Sequence, residues 1–198
     1  MKTIAKLVPG WLALALVAGC DAPDPIDPVA AAHAAPSAPV TQAAPVDPIL
    51  VTLSPASGSG VSGHLTVSRT YGGLRFLGRV QGLAPNHEHA FHVHEVGDCS
   101  APDASSAGEH YNPSGALHGS PQGGMHHAGD LPNLRADADG EIAVDVVGRN
   151  LELGSGHSAD IAGRAIVLHA QPDDYTTQPA GASGDRIACG VIGPLPRP

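Results

Sequence analysis

Glycine and proline punctuate this chain too densely for it to build long helices. Its 198 residues include 25 glycines and 19 prolines, more than one position in five. Each costs a helix interior about 1 kcal/mol (Gly) or about 3 kcal/mol (Pro) relative to alanine. Between these breaks the apolar residues alternate. Leu65 and Val67 alternate with Thr66 and Ser68, and Tyr71-Gly72-Gly73 supplies a turn. Leu74, Phe76 and Val80 then share one face, while Arg75, Arg79 and Gln81 share the other. Ala90 to His94 forms another short strand, and Asp139-Gly140 predicts a hairpin turn ahead of Ile142, Val144 and Val146 at period two. Ala165 to Leu168 is a buried-looking run, and Ile187 to Ile192 is a last strand. No window predicts an amphipathic helix. From about Ile49 onward this pattern predicts a single all-β domain, a sandwich or barrel, large enough for a sizeable core. Two long stretches break the strand pattern: residues 97–133, rich in glycine and histidine, and the polar residues 170–186. Segments of that length without regular structure are functional or disordered. Their His, Asp and Cys content favours function.

Charge narrows the partners. Ten Lys and Arg face 19 Asp and Glu, for a formal charge of −9. That argues against nucleic acid, which selects a basic face. Twelve histidines accompany only six aromatic residues. That surplus points to metal, proton chemistry or a pH switch.

The first twenty residues predict an address. Lys2 and Lys6 precede an apolar run from Leu7 to Ala18, too short to span a bilayer and suited to a signal peptide. Val17-Ala18-Gly19-Cys20 resembles the bacterial lipobox, in which cleavage precedes the cysteine and lipid joins its sulfur. The alternative is an ordinary secretory signal with a chance cysteine. Residues 21–48 hold nine Ala and seven Pro and show no apolar periodicity. Such a segment is an extended, semi-rigid spacer. The expected organisation is a signal peptide over 1–19, a lipidated Cys20 and tether over 20–48, and a folded domain over 49–198. Lys2 and Lys6 are the only lysines. Without them the chain from Cys20 carries eight Arg against 19 acids, a formal charge of −11.

His92-Val93-His94 places two imidazoles at i and i+2, on one face of a strand. Alone, that pair suits a core as well as it suits a metal. The following loop adds His110, His118, His126, His127 and Asp130, and His169 closes the run from Ala165. Imidazoles with a carboxylate and no thiolate suit Zn(II) or Cu(II). His127 stands three residues before Asp130, and its neighbour His126 is one step out of that spacing.

Several motifs resemble copper/zinc superoxide dismutase. They are Phe91-His92-Val93-His94-Glu95, Gly97-Asp98-Cys99, His110-Tyr111-Asn112-Pro113, His118-Gly119, His127-Ala128-Gly129-Asp130-Leu131-Pro132 and Arg186 to Gly193. They follow in the family's order across about 49–193, with features of its bacterial branch. The resemblance implies a Greek-key β-sandwich or flattened barrel of about eight antiparallel strands with two long functional loops. It implies one copper held by His92, His94, His110 and His169, and one zinc held by His110, His118, His127 and Asp130. His110 matches the histidine shared by both metals. Asp173 matches the aspartate that hydrogen-bonds a copper-site and a zinc-site histidine, with Asp174 as its near rival. Arg186 matches the arginine that guides and holds the anion, and Cys99 and Cys189 match the disulfide within the subunit. His87, His89, His126 and His157 have no ligand counterpart and are expected at the surface or in loops, and His64 is expected to be structural.

The implied activity is dismutation of superoxide to dioxygen and hydrogen peroxide. The implied location is the bacterial cell envelope, on the periplasmic side, attached through Cys20, as a monomer or a homodimer. The rival is a copper- and zinc-binding envelope lipoprotein without turnover, which needs neither a shared histidine nor Arg186. One departure stands out. Family members commonly place lysines near the channel, and beyond Cys20 this chain has none. Residues 170–190 carry Asp173, Asp174 and Asp185 against Arg186 alone. Weak long-range steering is therefore expected, unless Arg75, Arg79 or Arg135 supplies it, with a shallow fall of rate as ionic strength rises.

Overall fold

The computed structural model describes residues 48–193, so the expected signal peptide, Cys20, His33 and nearly all of the tether lie outside the described residues. Among the described residues nine strands form, two of them only two residues long: β1 (Ile49–Pro55), β2 (Ser62–Thr70), β3 (Gly73–Gln81), β4 (Glu88–His89), β5 (Phe91–His94), β6 (Leu134–Arg135), β7 (Ile142–Arg149), β8 (Ala165–His169) and β9 (Arg186–Val191). Among the described residues one 3-10 turn, Ser105–Ala107, is the only helical element.

Seven strands share one curled antiparallel sheet in the order β5-β8-β9-β1-β2-β3-β7. Its corner is β1. Residues Ile49 to Leu53 pair with β2, and the last two, Ser54 and Pro55, pair with β9. This strand was not foreseen, because Ile49-Leu50-Val51 reads as an unbroken apolar run that hides an in–out alternation. The β2–β3 hairpin turns at Tyr71-Gly72, where Gly72 takes φ +79°. At Asp139-Gly140 the expectation needs correcting. A turn is present, with Gly140 at φ +75°, but it closes no hairpin. The flanking strands go elsewhere: β6 pairs with β4, and β7 pairs with β3. The β4–β6 ribbon runs straight into β5 through Ala90, on the side where the sheet is open.

The concave face encloses the core. Val51, Leu65, Val67, Leu74, Phe76, Ile142 and Val144 meet Phe91, Val93, Ile166, Leu168 and Ile192. Phe76 and Phe91 pack edge to face, with ring centroids 6.0 Å apart. A second, smaller cluster of Ala56, Ala104, Ala107, Ala165, Val167 and Cys189 covers the other face of β8 and β9. Burial from both sides explains why Ala165 to Leu168 reads as continuous apolar sequence. The two long segments of the sequence become the connections after β5 and after β8.

Candidate metal centre

On β5 the alternation divides two kinds of chemistry. Phe91 and Val93 enter the core, while His92 and His94 share the opposite face, buried beneath the loop that follows. That loop is laid back along β5 by backbone bonds. Glu95 N–H donates to Glu109 O (2.9 Å), Tyr111 N–H to Val93 O (2.8 Å), Val93 N–H to Gly129 O (2.9 Å) and Gly129 N–H to Tyr111 O (2.9 Å). Gly129 is required here by close approach: a Cβ would stand 2.2 Å from Val93 O. His110 and Asp130 are carried in on these passes, bridged to His94 and His92. His169 arrives from the end of β8, just past a register shift between Leu168 and His169. Such irregularities re-aim a side chain.

Two ligand sets result. One atom each from His92, His94, His110 and His169 lie within 4.8 Å of one another, and so do one each from His110, His118, His127 and Asp130. All seven residues are buried, and His110 belongs to both sets. The rings are aimed by their other nitrogens. His92 Nε2 donates to Asp173 Oδ2 and His118 Nε2 to Asp173 Oδ1, both at 2.9 Å. His94 Nδ1 donates to Gly108 O (2.9 Å), and His169 Nδ1 faces Ser183 Oγ (3.2 Å) and Gly184 O (3.3 Å). What remains faces inward. His92 Nδ1, His110 Nε2, His118 Nδ1 and His127 Nδ1 are buried without a hydrogen-bond partner. His94 Nε2 and His169 Nε2 face each other at 3.3 Å. Buried polar atoms are ordinarily satisfied, and converging lone pairs with the distal N–H anchored are what a cation requires.

Electrostatics keep those nitrogens available. Burial pushes His92 well below the ordinary histidine range, His94 down to about 2 and His169 down to about 3. His127 is lowered by burial as well. Burial pushes the Asp130 carboxyl up, but the His110 hydrogen bond, the His118 charge and the His127 N–H outweigh it and hold it below the usual carboxylate range. Four imidazoles suit copper, and three imidazoles with a carboxylate suit zinc.

A cavity of about 270 Å³ opens over the first set, walled by His94, His110, His169, Glu109, Arg186 and the stretch from Thr177 to Gly184. Arg186 Nη1 donates to Ala104 O and Nη2 to Gly108 O, both at 2.7 Å. Gly108 O thus holds Arg186 and His94 together. The loop bearing these carbonyls is tied to β9 by the Cys99–Cys189 disulfide (Cα–Cα 5.8 Å).

A family model described as copper/zinc superoxide dismutase (SODC) matches residues 61–192. The chain belongs to the copper/zinc superoxide dismutase family. It is 42% identical over 137 residues to a Cu-Zn superoxide dismutase of Aquifex aeolicus, covering 67% of this chain and 79% of that one. A Cu-Zn superoxide dismutase of Caulobacter vibrioides is 40% identical over 136 residues, covering 66% and 78%. Among solved structures, the Cu/Zn superoxide dismutase from Brucella abortus aligns with a TM-score of 0.63 at 35% identity, covering 74% of this chain and 99% of that one. A SOD-like protein from Bacillus subtilis aligns at 0.65 and 38% identity, covering 72% and 97%.

The sequence-predicted residues of this dismutase family member meet in one place, except Cys20, which lies outside the described residues. Asp173 is buried between the two sets, whereas Asp174 is exposed and bonds Thr176 and Thr177. His89 departs from expectation. It is 4% exposed, and Nδ1 donates to His169 O (2.9 Å), so it braces the end of β8 from beneath. His87 is exposed, His157 pairs with Glu152 (3.0 Å), and His126 donates to the carbonyl of His127 (2.7 Å). Exposed His64 faces Thr52 Oγ1 (3.3 Å). Sequence reasoning missed the Ala104 and Gly108 carbonyls, because backbone acceptors leave no residue signature. It also missed Asn133 and Gln178, which lock the two long loops together through Asp173 and His118.

Proposed function

We propose that this chain dismutates superoxide, with copper held by His92, His94, His110 and His169 and zinc held by His110, His118, His127 and Asp130. The observation that carries the reading is the shared His110, which joins two buried ligand sets beneath a cavity walled by Arg186. Copper bound in the first set would supply the electron exchange by which two superoxide anions and two protons give dioxygen and hydrogen peroxide. Arg186 spends two of its five N–H groups on Ala104 and Gly108, which fixes the guanidinium as an anion site at no reorganisation cost. His110, which borders the cavity, is the ring placed to carry a proton to the leaving product. Asp173 holds His92 and His118 in orientation through one carboxylate.

A metal buffer would need neither the shared ring nor the anchored arginine. Superoxide consumption by the copper- and zinc-loaded protein tests the reading. His110→Ala is expected to abolish it, and Arg186→Ala to lower it by up to the ~10²–10³-fold that removing an oxyanion donor costs. Unchanged rates in both variants would refute it.

The same proposal places the enzyme in the bacterial envelope. Residues 1–19 act as the signal, Cys20 takes the lipid, residues 20–48 form the tether, and 49–198 form the catalytic domain on the periplasmic side. The support is the Val17-Ala18-Gly19-Cys20 motif and the Ala- and Pro-rich stretch after it. Cys20→Ala is expected to move the protein from the membrane fraction to the soluble one. A wild-type chain already soluble would sink the anchor.

A further inference from the structure

Two of the residues walling the cavity above the first ligand set carry formal charge: Arg186 and Glu109. Their situations differ. Arg186 is anchored by two carbonyls, and among the described residues no carboxylate lies within 4.0 Å of its guanidinium. Glu109 is exposed and contributes to the fold through its backbone, accepting from Glu95 N–H (2.9 Å) and donating to Glu95 Oε1 (3.4 Å). Among the described residues its own side chain forms neither an ion pair nor a hydrogen bond. It is an uncompensated negative charge beside the entrance to an anion's site, with a second exposed acid, Glu95, next to it.

Four other arginines are engaged elsewhere. Arg75 pairs with Asp145 (2.7 Å), Arg79 with Glu141 (3.3 Å) and Arg135 with Glu88 (3.4 Å). Arg164 donates to Glu95 O (2.7 Å) and Asp160 O (3.0 Å) and lies over the Tyr111 ring. We propose that Glu109 governs how readily small anions enter this cavity, its charge opposing that of Arg186. This rests on the dismutase reading for its substrate, but the electrostatics apply to any monovalent anion. Glu109 is then a rate-determining residue for entry and takes no part in the chemistry.

Glu109→Gln keeps the shape and removes the charge. Exposed unit charges interact weakly across water, so the expected gain in anion access at low salt is roughly two- to threefold. It should vanish near ~1 M salt, where the Debye length is about 3 Å. Two readouts, on wild type and Glu109→Gln matched for copper and zinc content, test this: kcat/KM for superoxide by pulse radiolysis, and optical titration of the Cu(II) protein with azide. Wild type should show a shallow salt dependence. The variant should start higher, fall more steeply and converge with wild type at high salt in both assays. No difference at low salt would overturn the proposal, as would a difference that persists at ~1 M. Tighter azide binding by the variant, with no superoxide consumption by either protein, would support the role of Glu109 and overturn the dismutase reading instead.

Discussion

Asp173 orients two rings with one carboxylate, an arrangement that asparagine cannot copy. His92 Nε2 and His118 Nε2 each donate to a separate oxygen at 2.9 Å, and Tyr175 N–H takes a third bond. Asparagine offers one acceptor oxygen and turns an NH₂ toward the other ring. Asp173→Asn is therefore expected to weaken metal binding roughly 10- to 100-fold, as measured by chelator competition. It should also cost the metal-free fold about 1–3 kcal/mol for the buried N–H left without a partner. Asp174→Asn, one position along, should leave metal affinity unchanged, because that carboxylate serves Thr176 and Thr177 at the surface. Equal losses in both variants would contradict this division. The side chains proposed to do the chemistry were legible in the sequence, since a metal ligand must be a particular residue type: His92, His94, His110, His118, His127, Asp130, His169 and Arg186 could be named from motifs. Their supports were not. The acceptors for His94 and Arg186 are the carbonyls of Gly108 and Ala104, and any residue has a carbonyl.

The strands position the site, and the close approach of the first long loop to β5 is the point most sensitive to change. Gly129 donates to and accepts from the backbone at the level of Val93, where an added Cβ would lie 2.2 Å from Val93 O and 3.0 Å from Tyr111 N. Both neighbours are backbone atoms and cannot give way without displacing β5. Gly129→Ala should cost at least ~2 kcal/mol by overpacking, read as a lowered denaturation midpoint. A shift below ~0.5 kcal/mol would show that the loop can lift away. The disulfide acts on the same loop from its other end. Cys99 and Cys189 are 90 residues apart, so removing the bridge with Cys99→Ser/Cys189→Ser should cost up to ~4–5 kcal/mol in the chain-entropy account. It should also lower superoxide consumption, because the tethered segment carries both carbonyl anchors of Arg186. A variant that is destabilised but fully active would separate the bridge from the arginine. Alternation made β2, β3 and β7 legible in advance. It failed at β1, where the outward-facing Leu50 is itself apolar, and at Asp139-Gly140, where the turn chemistry was right but the partner strands are decided by contacts distant in sequence.

Across the whole molecule, this fold buries a cluster of bases within an acidic chain, and pH should expose the tension. His92, His94 and His169 are held neutral chiefly by burial, the first well below the ordinary range, the others at about 2 and about 3. In the unfolded chain each would titrate near 6.5. Below that pH the unfolded state binds protons that the folded state refuses, so acidification favours unfolding. The linkage amounts to about 1.4 kcal/mol per pH unit for each such histidine, from about pH 6.5 down toward its folded value. Asp130 adds to the slope in the same direction at lower pH, since its folded carboxyl is held below the usual range. The protein stripped of metal by chelation should thus have a melting temperature that is flat above about pH 7 and falls steeply between pH 6 and 5. The metal-loaded protein should resist over the same interval, because bound cations stabilise the neutral nitrogens that the folded state already prefers. A metal-free melting temperature unchanged from pH 7.5 to 5 would mean that the buried rings accept protons in place, and that burial alone does not keep the site open to metal.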